Sequence, residues 1–241
     1  MPTTPHAPPD APPSSDYRDY FIRDGVHLGL YEEMYRACPD PWRIEELGAR
    51  VDMRAAVALL GAFPKDLPQA RVLDAGAGTG LFASLVIDCL MEFYPHSLHY
   101  ALADVSPTAL SRARARFEAP DKKRLLPCLQ FAALDLRALT PANSPWPLGS
   151  LDLIVLAQTL WGLLENLDST LASLASLLAP GGHFLVSQHF PGEKQRYGRD
   201  IVRSPRDLQK RLRAAGLTPL HSVHVDPETN WHWGSLWNRP S

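Results

Sequence analysis

The sequence predicts an α/β fold, a doubly wound sheet of seven mostly parallel strands preceded by an N-terminal helical cap. Two observations support this prediction. After Pro68, short apolar runs alternate with segments whose apolar residues recur every three or four positions, which is typical of strands alternating with helices. Between the first such run and the first such helix, glycine fills every second position from Gly76 to Gly80. Alternating strands and helices favour parallel strands joined by right-handed crossovers.

Composition excludes several classes of protein. The chain has 241 residues, a net charge of -2 and 45% hydrophobic residues, as expected for one globular domain with an extension. The charge argues against a protein that coats nucleic acid, and no apolar run approaches the about 18–20 residues that cross a bilayer. The three cysteines lie far apart, which predicts neither a disulfide framework nor a thiolate zinc site. Because no secretory signal is visible at the N-terminus, a cytoplasmic location is expected.

The chain divides into three predicted parts. Residues 1–15 are rich in proline, which removes backbone donors, and are expected to form a disordered tail. Residues 16–66 are expected to form the helical cap, and residues 67–241 the main domain. In the cap, an aromatic-rich stretch precedes a predicted helix. The apolar stripe of that helix is predicted at Ile44, Leu47, Val51, Ala55 and Leu59.

The elements of the main domain follow one another in a regular order. Strands are predicted at residues 71–74, 98–103, 126–134, 151–156, 183–188, 220–225 and 231–237. Helices are predicted from Leu81, after Ser106-Pro107, over residues 167–178 and after Ser204-Pro205. Serine followed by proline is the favoured order at a helix N-terminus. The turn Pro180-Gly181-Gly182 is expected to stop the third of these helices.

The segment Asp74-Ala75-Gly76-Ala77-Gly78-Thr79-Gly80 lies directly between a predicted strand and a predicted helix. Glycines there let the backbone approach a ligand, and the following helix N-terminus offers unpaired N–H groups to an anion. In an open parallel sheet, ligands bind outside the carboxyl ends of the strands, where these residues fall. Asp104 ends the next predicted strand and is placed to accept hydrogen bonds from two ribose hydroxyls. The sequence therefore predicts a ribose-containing ligand.

From about Ala70 to the C-terminus, the chain resembles the class I S-adenosylmethionine-dependent methyltransferases, a family with a Rossmann-like fold. The matching residues are Asp74, Gly76, Gly78, Gly80, Asp104, Val105, Asp135 and Leu136. The first four fill the acidic and glycine positions of the family's first motif. The next two match its ribose ligand and adenine neighbour, and the last two stand where the family contacts the adenine amino group. The resemblance implies S-adenosylmethionine as donor and S-adenosylhomocysteine as product.

Two further segments support the resemblance, and two alternatives stay open. Residues 150–155 resemble the family's fourth-strand motif, and residues 178–182 resemble the turn before its fifth strand. Residues 78–83 also satisfy the loose glycine pattern of NAD(P)-dependent oxidoreductases. Against that reading, an acidic residue precedes the glycines, and the chain has no Tyr-x-x-x-Lys pair and no phosphate-binding Gly-Lys-Ser/Thr loop. The second alternative is a non-catalytic module that binds the donor in order to dock or stabilise a partner.

The acceptor is expected to be a small metabolite, methylated on an O or N atom, in secondary metabolism. The segment after the fourth strand, residues 157–161, lacks the Asn/Asp-Pro-Pro-aromatic turn of enzymes that methylate amino groups of DNA, RNA or release factors. It also lacks the acidic residue with which catechol-type enzymes hold magnesium, so metal-independent transfer is expected. No nucleic-acid or membrane partner is expected.

Further residues are predicted around the two substrates. Gln158 is expected near the donor's methionine end, and Arg43 is expected to pair with the donor carboxylate. Residues 39–43 resemble a stretch that precedes the first motif in some small-molecule N-methyltransferases. His189 is the candidate general base, with Trp161 as the second catalytic candidate, although a loop histidine without a role is the alternative. The candidates for acceptor contacts are Tyr31, Trp42, Thr159, Tyr197 and Arg199.

The C-terminal part of the chain contains a basic segment and a tryptophan-rich segment. Residues 194–213 carry eight basic and two acidic residues, which usually indicates a solvated helix face. The functional alternative is the docking of an anionic acceptor or an acidic carrier domain, and a homodimer is left open. Trp231, Trp233 and Trp237 share one face of a predicted strand, which favours packing in the core.

Overall fold

The computed structural model describes residues 16–43, 51–191, 197–225 and 231–241. The predicted tail, two residues of the predicted stripe (Ile44 and Leu47) and the start of the basic segment lie outside the described residues. The described helices are α1 (Arg18–Phe21), α2 (Tyr31–Ala37), α3 (Val51–Ala58), α4 (Leu81–Met91), α5 (Pro107–Glu118), α6 (Leu167–Leu177) and α7 (Pro205–Ala214). None of them is long and apolar enough to cross a bilayer.

Seven strands form the central sheet, and two shorter ones form a separate hairpin. The hairpin consists of β1 (Ile22–Arg23) and β2 (Val26–His27). The sheet consists of β3 (Ala70–Ala75), β4 (Leu98–Asp104), β5 (Leu129–Ala133), β6 (Leu151–Ala157), β7 (Leu178–Phe190), β8 (Thr218–Val225) and β9 (Trp231–Asn238).

The strand order β5-β4-β3-β6-β7-β9-β8 confirms the predicted doubly wound sheet. Strands β3 to β7 pair in parallel, and β9 runs antiparallel between β7 and β8. The chain moves outward from β3 to β5 and then returns to the other side of β3. This reversal opens a crevice at the carboxyl ends of β3 and β6, where ligands bind in sheets of this kind.

Apolar side chains cover both faces of the sheet. One face packs under α6 and α7, with Leu171 and Leu208 fully buried. The other face packs under α3, α4 and α5, with Ile87 and Ala113 fully buried. The core prediction is confirmed for Trp233, which is 1% exposed, and for Trp237. The side chain of Trp231 lies outside the described residues.

Helix starts agree with their serine signals, whereas two strand boundaries differ from the prediction. The side chain of Ser106 accepts the Ala109 N–H, and that of Ser204 accepts the Asp207 N–H. Strand β7 begins at Leu178 and includes the predicted turn at residues 180–182, because a shift in its pairing with β6 absorbs the glycines as a bulge. Strand β5 begins only at Leu129, since residues 123–128 form a 3₁₀ helix that contains a proline.

The predicted cap lies in two places. Residues 16–43 pack against α5, where the Arg112 guanidinium donates to the carbonyls of Cys38 and Pro39 at 2.8 Å each. In contrast, α3 packs on the main sheet, and Met53 and Ala56 belong to its core. Only the first of these segments covers the carboxyl edge of the strands as a cap.

The predicted apolar stripe of α3 is wrong at Val51, whose side chain is 72% exposed. The buried face begins one residue later and consists of Asp52, Met53 and Ala56. A buried carboxylate on the inward face of a helix contradicts the apolar pattern, and its partner on β9 explains it: His232 contacts Asp52 at 2.9 Å. The polar pair, together with the apolar side chains, decides which face of α3 turns inward.

Candidate active site

A cavity of about 640 Å³ opens between the carboxyl ends of the strands and the cap. Its size is within the about 300–1,000 Å³ of small-molecule sites. Thirteen of the predicted site residues line it: Tyr31, Trp42, Asp74, Gly76, Gly78, Asp104, Val105, Asp135, Leu136, Gln158, Thr159, Trp161 and His189. The structure therefore brings the residues predicted for donor, acceptor and catalysis to one place, although their individual roles stay predictions.

Four predicted residues do not line this cavity. Gly80 is the N-cap of α4, and a Cβ added there would lie 3.1 Å from the Cβ of Ala113, so this glycine lets α4 and α5 approach each other. The side chain of Arg43 is exposed, and so is that of Arg199. The ring of Tyr197 stacks on His27 outside the cavity. The roles predicted for these four residues stay predictions, because spacing along the chain does not fix where a cap or a loop folds.

The glycine loop leaves no room for side chains at its first two glycines. Gly76 has φ +84°, and a Cβ added there would lie 2.4 Å from the side chain of Thr159. Gly78 has φ +53°, and its added Cβ would lie 3.1 Å from the Tyr35 hydroxyl. A positive φ is costly for any residue with a Cβ. Both glycines therefore bring bare backbone to the cavity wall.

Asp104 links this loop to β4. Its carboxylate accepts the Gly78 N–H at 2.8 Å and the Ser106 N–H at 2.9 Å, one on each oxygen. The residue is 8% exposed, and burial raises the pKa of its carboxyl. Each carboxylate oxygen has a second lone pair. The residue thus retains the capacity to accept two hydroxyls from a ligand in the cavity.

Asp74 lies at the base of the same loop and is 1% exposed. Burial raises the pKa of its carboxyl to about 7, and the nearby charge of Asp104 acts in the same direction. The Tyr100 hydroxyl donates to it at 3.2 Å and opposes this shift. Near neutral pH both the protonated and the ionised form of this carboxyl are therefore present.

Asp135 is held by a residue that the sequence analysis missed. The Arg137 guanidinium donates to both of its oxygens at 2.7–3.2 Å, and this hydrogen bonding holds the pKa of the carboxyl below its ordinary value. Arg137 also lines the cavity. The motif could have indicated the arginine, because a side chain two positions beyond Asp135 can return to it.

The cap supplies an aromatic wall of five residues: Tyr17, Phe21, Tyr31, Tyr35 and Trp42. The ring of Trp42 lies 5.0 Å from that of Tyr17 and 5.3 Å from that of Phe21, and its indole N–H donates to the Tyr35 hydroxyl. Burial raises the pKa of the Tyr35 phenol, which therefore stays neutral. The aromatic stretch was noted in the sequence, but which of its rings face the cavity depends on how the cap packs.

Glu32 fastens α2 to the start of α5, next to Asp104. Its carboxylate accepts the Ser106 hydroxyl at 2.6 Å, and the Thr108 N–H and hydroxyl at 3.1 and 2.7 Å. Burial opposes ionisation, but these hydrogen bonds and the pairing with Arg36 outweigh it and lower the pKa to about 2. The carboxylate thus couples the position of the cap to the edge of the predicted ribose site.

We expect Glu32→Ala to lower the free energy of unfolding by about 1–3 kcal/mol, since three donors lose a charged acceptor. The folded pKa lies below the ordinary value of 4.5, so the contribution of Glu32 is present above pH 4.5 and is lost as the pH falls towards 2. Urea unfolding at pH 7 and pH 3 measures this, with the exposed Glu33→Ala as the matched control. An equal loss at both pH values would contradict the assignment.

Gln158 directly follows β6, His189 lies near the end of β7, and both line the cavity. The backbone N–H of Gln158 donates to the Ser187 carbonyl at 2.7 Å. The side-chain Oε1 of Gln158 accepts the backbone N–H of His189 at 3.2 Å. Trp161 lies in a 3₁₀ turn nearby, with its ring edge-on to Phe190. The two predicted catalytic residues are thus on the same side of the cavity as Gln158.

His232 is a further cavity residue that the sequence analysis missed. It is the pairing partner of His189 across β7 and β9, and the two ring centroids are 4.9 Å apart. Its Nδ1 lies 2.9 Å from Oδ2 of Asp52. The sequence contained one signal for this residue: His232 lies between two tryptophans of a predicted strand. Because residues alternate between the faces of a strand, His232 points to the face opposite the tryptophans. Within the described residues, no group of three or more His, Cys, Asp or Glu is placed to hold a metal ion.

The chain is similar to known proteins of one kind. Residues 73–184 match the family model described as a methyltransferase domain. Among curated proteins, the chain is similar to the highly reducing polyketide synthase ALT1 of Alternaria alternata, with 33% identity over 139 residues, which are 56% of this chain and 5% of that protein. The chain thus spans about a twentieth of the length of this relative.

Two solved structures show the same fold. The CurJ carbon methyltransferase has a TM-score of 0.63 at 18% identity, covering 91% of this chain and 62% of that one. The N-methyltransferase NodS from Bradyrhizobium japonicum has a TM-score of 0.57 at 19% identity, covering 84% of this chain and 99% of that one. With the matched domain, the sheet order and the glycine loop, these findings confirm the family resemblance. Residues 73–184 of the chain are thus a methyltransferase domain, and the chain has the fold of the class I methyltransferases.

Proposed function

We propose that the protein methylates a small-molecule intermediate of polyketide or related secondary metabolism. The observation that carries the proposal is a single cavity that joins the glycine loop to an aromatic wall and two histidines. The donor, when bound, supplies an activated methyl group, and the protein's task is to align the acceptor and exclude water. The polyketide synthase relative and the likeness to a carbon methyltransferase support carbon as an acceptor atom beside the O and N atoms expected from the sequence.

The chain's own residues suit the donor at three points. Gly76 and Gly78 leave space that side chains would fill, and Asp104 retains two acceptor positions for ribose hydroxyls. Asp74 can offer a negative charge to a cationic group at the base of the loop. Val105, which is partly exposed beside Asp104, and Leu136 offer apolar surfaces for adenine.

The acceptor side differs in character from the donor side. Its wall is largely aromatic, and the tyrosines in it stay neutral because burial raises the pKa of Tyr31 and of Tyr35. Such a wall suits an apolar or unsaturated acceptor. Within the described part of the basic segment, Arg199 and Arg206 add positive charge near α7, where we propose that an acidic carrier bearing the acceptor docks. Transfer without a metal ion is part of the proposal, and a homodimer stays a prediction.

One experiment tests donor and activity together. Calorimetry compares S-adenosylhomocysteine with NADP⁺, and incubation of the protein with methyl-labelled donor and a metabolite extract detects transfer. We expect binding of S-adenosylhomocysteine alone and label in a small molecule. Binding of S-adenosylhomocysteine without label in any small molecule would favour the non-catalytic module. Binding of NADP⁺ would favour the oxidoreductase.

Donor binding is expected to release a proton below pH 7. In the free protein, burial raises the pKa of Asp74 to about 7, so its carboxyl is largely protonated at pH 6. A cationic group bound beside it favours the ionised form, and the proton leaves. Calorimetry at pH 6 and pH 8.5, in buffers of different ionisation enthalpy, measures the released proton. Asp74→Asn should abolish the part of the proton release that comes from Asp74. Any proton release that remains in this variant is assigned to Asp104. Proton release that is identical in wild type and Asp74→Asn would contradict the assignment.

A further inference from the structure

We propose that His232, oriented by Asp52, is the base that removes a proton from the methyl acceptor. The proposal rests on the methyl transfer proposed above and extends it to the substrate class. The acceptor then carries an ionisable O–H or an acidified C–H, such as a phenol or a carbon between two carbonyl groups. Helix α3 and strands β7 and β9 meet at the cavity, which each of them lines with at least one residue.

The topology brings His232 to the catalytic edge of the sheet. Because β9 is antiparallel, its first residues lie beside the last residues of β7, and His232 pairs with His189. Helix α3 crosses β9 closely, since a Cβ added to Gly234 would lie 3.1 Å from Ala56. One turn earlier on the same face of α3, Asp52 reaches His232. The close crossing at a glycine thus permits the contact between carboxylate and imidazole.

The Asp52–His232 pair is buried, and His232 lines the cavity. Asp52 is 7% exposed and the His232 side chain 11% exposed, and a buried carboxylate is costly without a donor. Pairing at Nδ1 places the ring proton there and leaves the lone pair on Nε2. The same carboxylate stabilises the imidazolium that forms when Nε2 takes up a proton. This is the arrangement of an oriented base.

Other charged groups around His232 have defined places. Asp52 lies on α3, His189 on β7 and His224 on β8, and Arg206 on α7 lines a second cavity that His232 also borders. Because the His189 and His232 rings are only 4.9 Å apart, protonation of one disfavours protonation of the other. The contact with Asp52 fixes the orientation of the His232 ring within this pair.

As the bond between the acceptor atom and the methyl carbon forms, the bond between that carbon and the donor sulfur breaks, and its electron pair stays on sulfur. The acceptor's proton moves to Nε2 of His232, and water later removes it from the imidazolium. No oxidant or metal ion takes part. An acceptor that is already a neutral amine would not require this base.

The first test needs no acceptor. Nitrogen-15 NMR of the ligand-free protein is expected to show His232 with its proton on Nδ1, and Asp52→Asn is expected to give a mixture of the two ring tautomers because the carboxylate that holds this proton is lost. His221→Gln, at an exposed position on β8, is the control and should leave the His232 signals unchanged. A proton on Nε2, or ring-nitrogen signals that Asp52→Asn leaves unaltered, would overturn the proposal.

The second test is kinetic and uses an acetoacetyl thioester of N-acetylcysteamine and a simple phenol as acceptors, with saturating donor. His232→Gln is expected to lower kcat by about 10²–10⁴-fold, while the affinity for S-adenosylhomocysteine stays the same. Asp52→Asn should lower kcat less and leave the affinity for S-adenosylhomocysteine unchanged, and Asp52→Glu should restore part of the rate. His189→Asn should lower kcat less than His232→Gln does, and His221→Gln should behave as wild type.

The outcomes separate this proposal from the proposed function. Transfer to either probe that is lost in His232→Gln supports the base. Transfer that survives His232→Gln, or an unchanged kcat in Asp52→Asn, overturns the base but leaves the methyltransferase function intact. If the wild type labels compounds of a metabolite extract but neither probe, the assigned acceptor class is wrong. Only a failure to label any small molecule overturns the proposed function itself.

Discussion

Gly78→Val is expected to abolish binding of S-adenosylhomocysteine while the protein still folds. Gly78 lines the cavity, has φ +53° and donates its N–H to Asp104 at 2.8 Å. A branched side chain there strains a positive φ, points towards the Tyr35 hydroxyl 3.1 Å from its Cβ, and fills the space that the ligand needs. Calorimetry should show no heat of binding at ligand concentrations at least about a hundredfold above the wild-type Kd, a loss of about 2.7 kcal/mol or more.

The matched control is Gly61→Val. Gly61 lies in the turn after α3, and a Cβ added there meets nothing within 4 Å. This variant should bind the ligand as wild type does. Circular dichroism of Gly78→Val should keep the wild-type helix and strand content, which separates loss of the site from loss of the fold. Binding by Gly78→Val with an unchanged Kd would refute the loop as the donor's cradle.

Asp104→Ala is expected to weaken donor binding by about 1.5–3 kcal/mol, or roughly ten- to 150-fold in Kd. The carboxylate is proposed to accept two ribose hydroxyls through the lone pairs that its contacts with Gly78 and Ser106 leave over. Removing it also leaves those two backbone donors without this acceptor. The measurement is a titration with S-adenosylhomocysteine at pH 8.

Asp104→Asn separates the two contributions. An amide keeps one acceptor oxygen for the loop but loses the charge, so we expect an affinity between those of wild type and Asp104→Ala. Asp88→Asn, whose exposed carboxylate pairs with Lys122 on the far side of α4, is the control and should leave the Kd unchanged. If Asp104→Ala also binds as tightly as wild type, the ribose assignment is wrong.

The sequence by itself determined the fold class and the loop that carries the donor site. Strand and helix periods predicted the seven-stranded sheet, and the segment from Asp74 to Gly80 with Asp104 predicted the ribose-binding edge. These signals are local: a glycine loop between a strand and a helix, and an acidic residue at a strand end, are contiguous in the chain. Their meeting at one edge follows from parallel strand order alone. Gly80 is the exception, because it serves the packing of α4 against α5.

The tertiary structure decided which side chains surround the acceptor. The Asp52–His232 pair joins residues 180 positions apart, and the apolar pattern of α3 was wrong at Val51, which is exposed while its neighbour Asp52 is buried. The aromatic wall and Arg137 likewise depend on how the cap and a turn fold back over the sheet, and Arg43 lies outside the cavity that it was expected to line. Contacts between distant segments are set by the packing of whole elements, which the periodicity of any one segment does not encode.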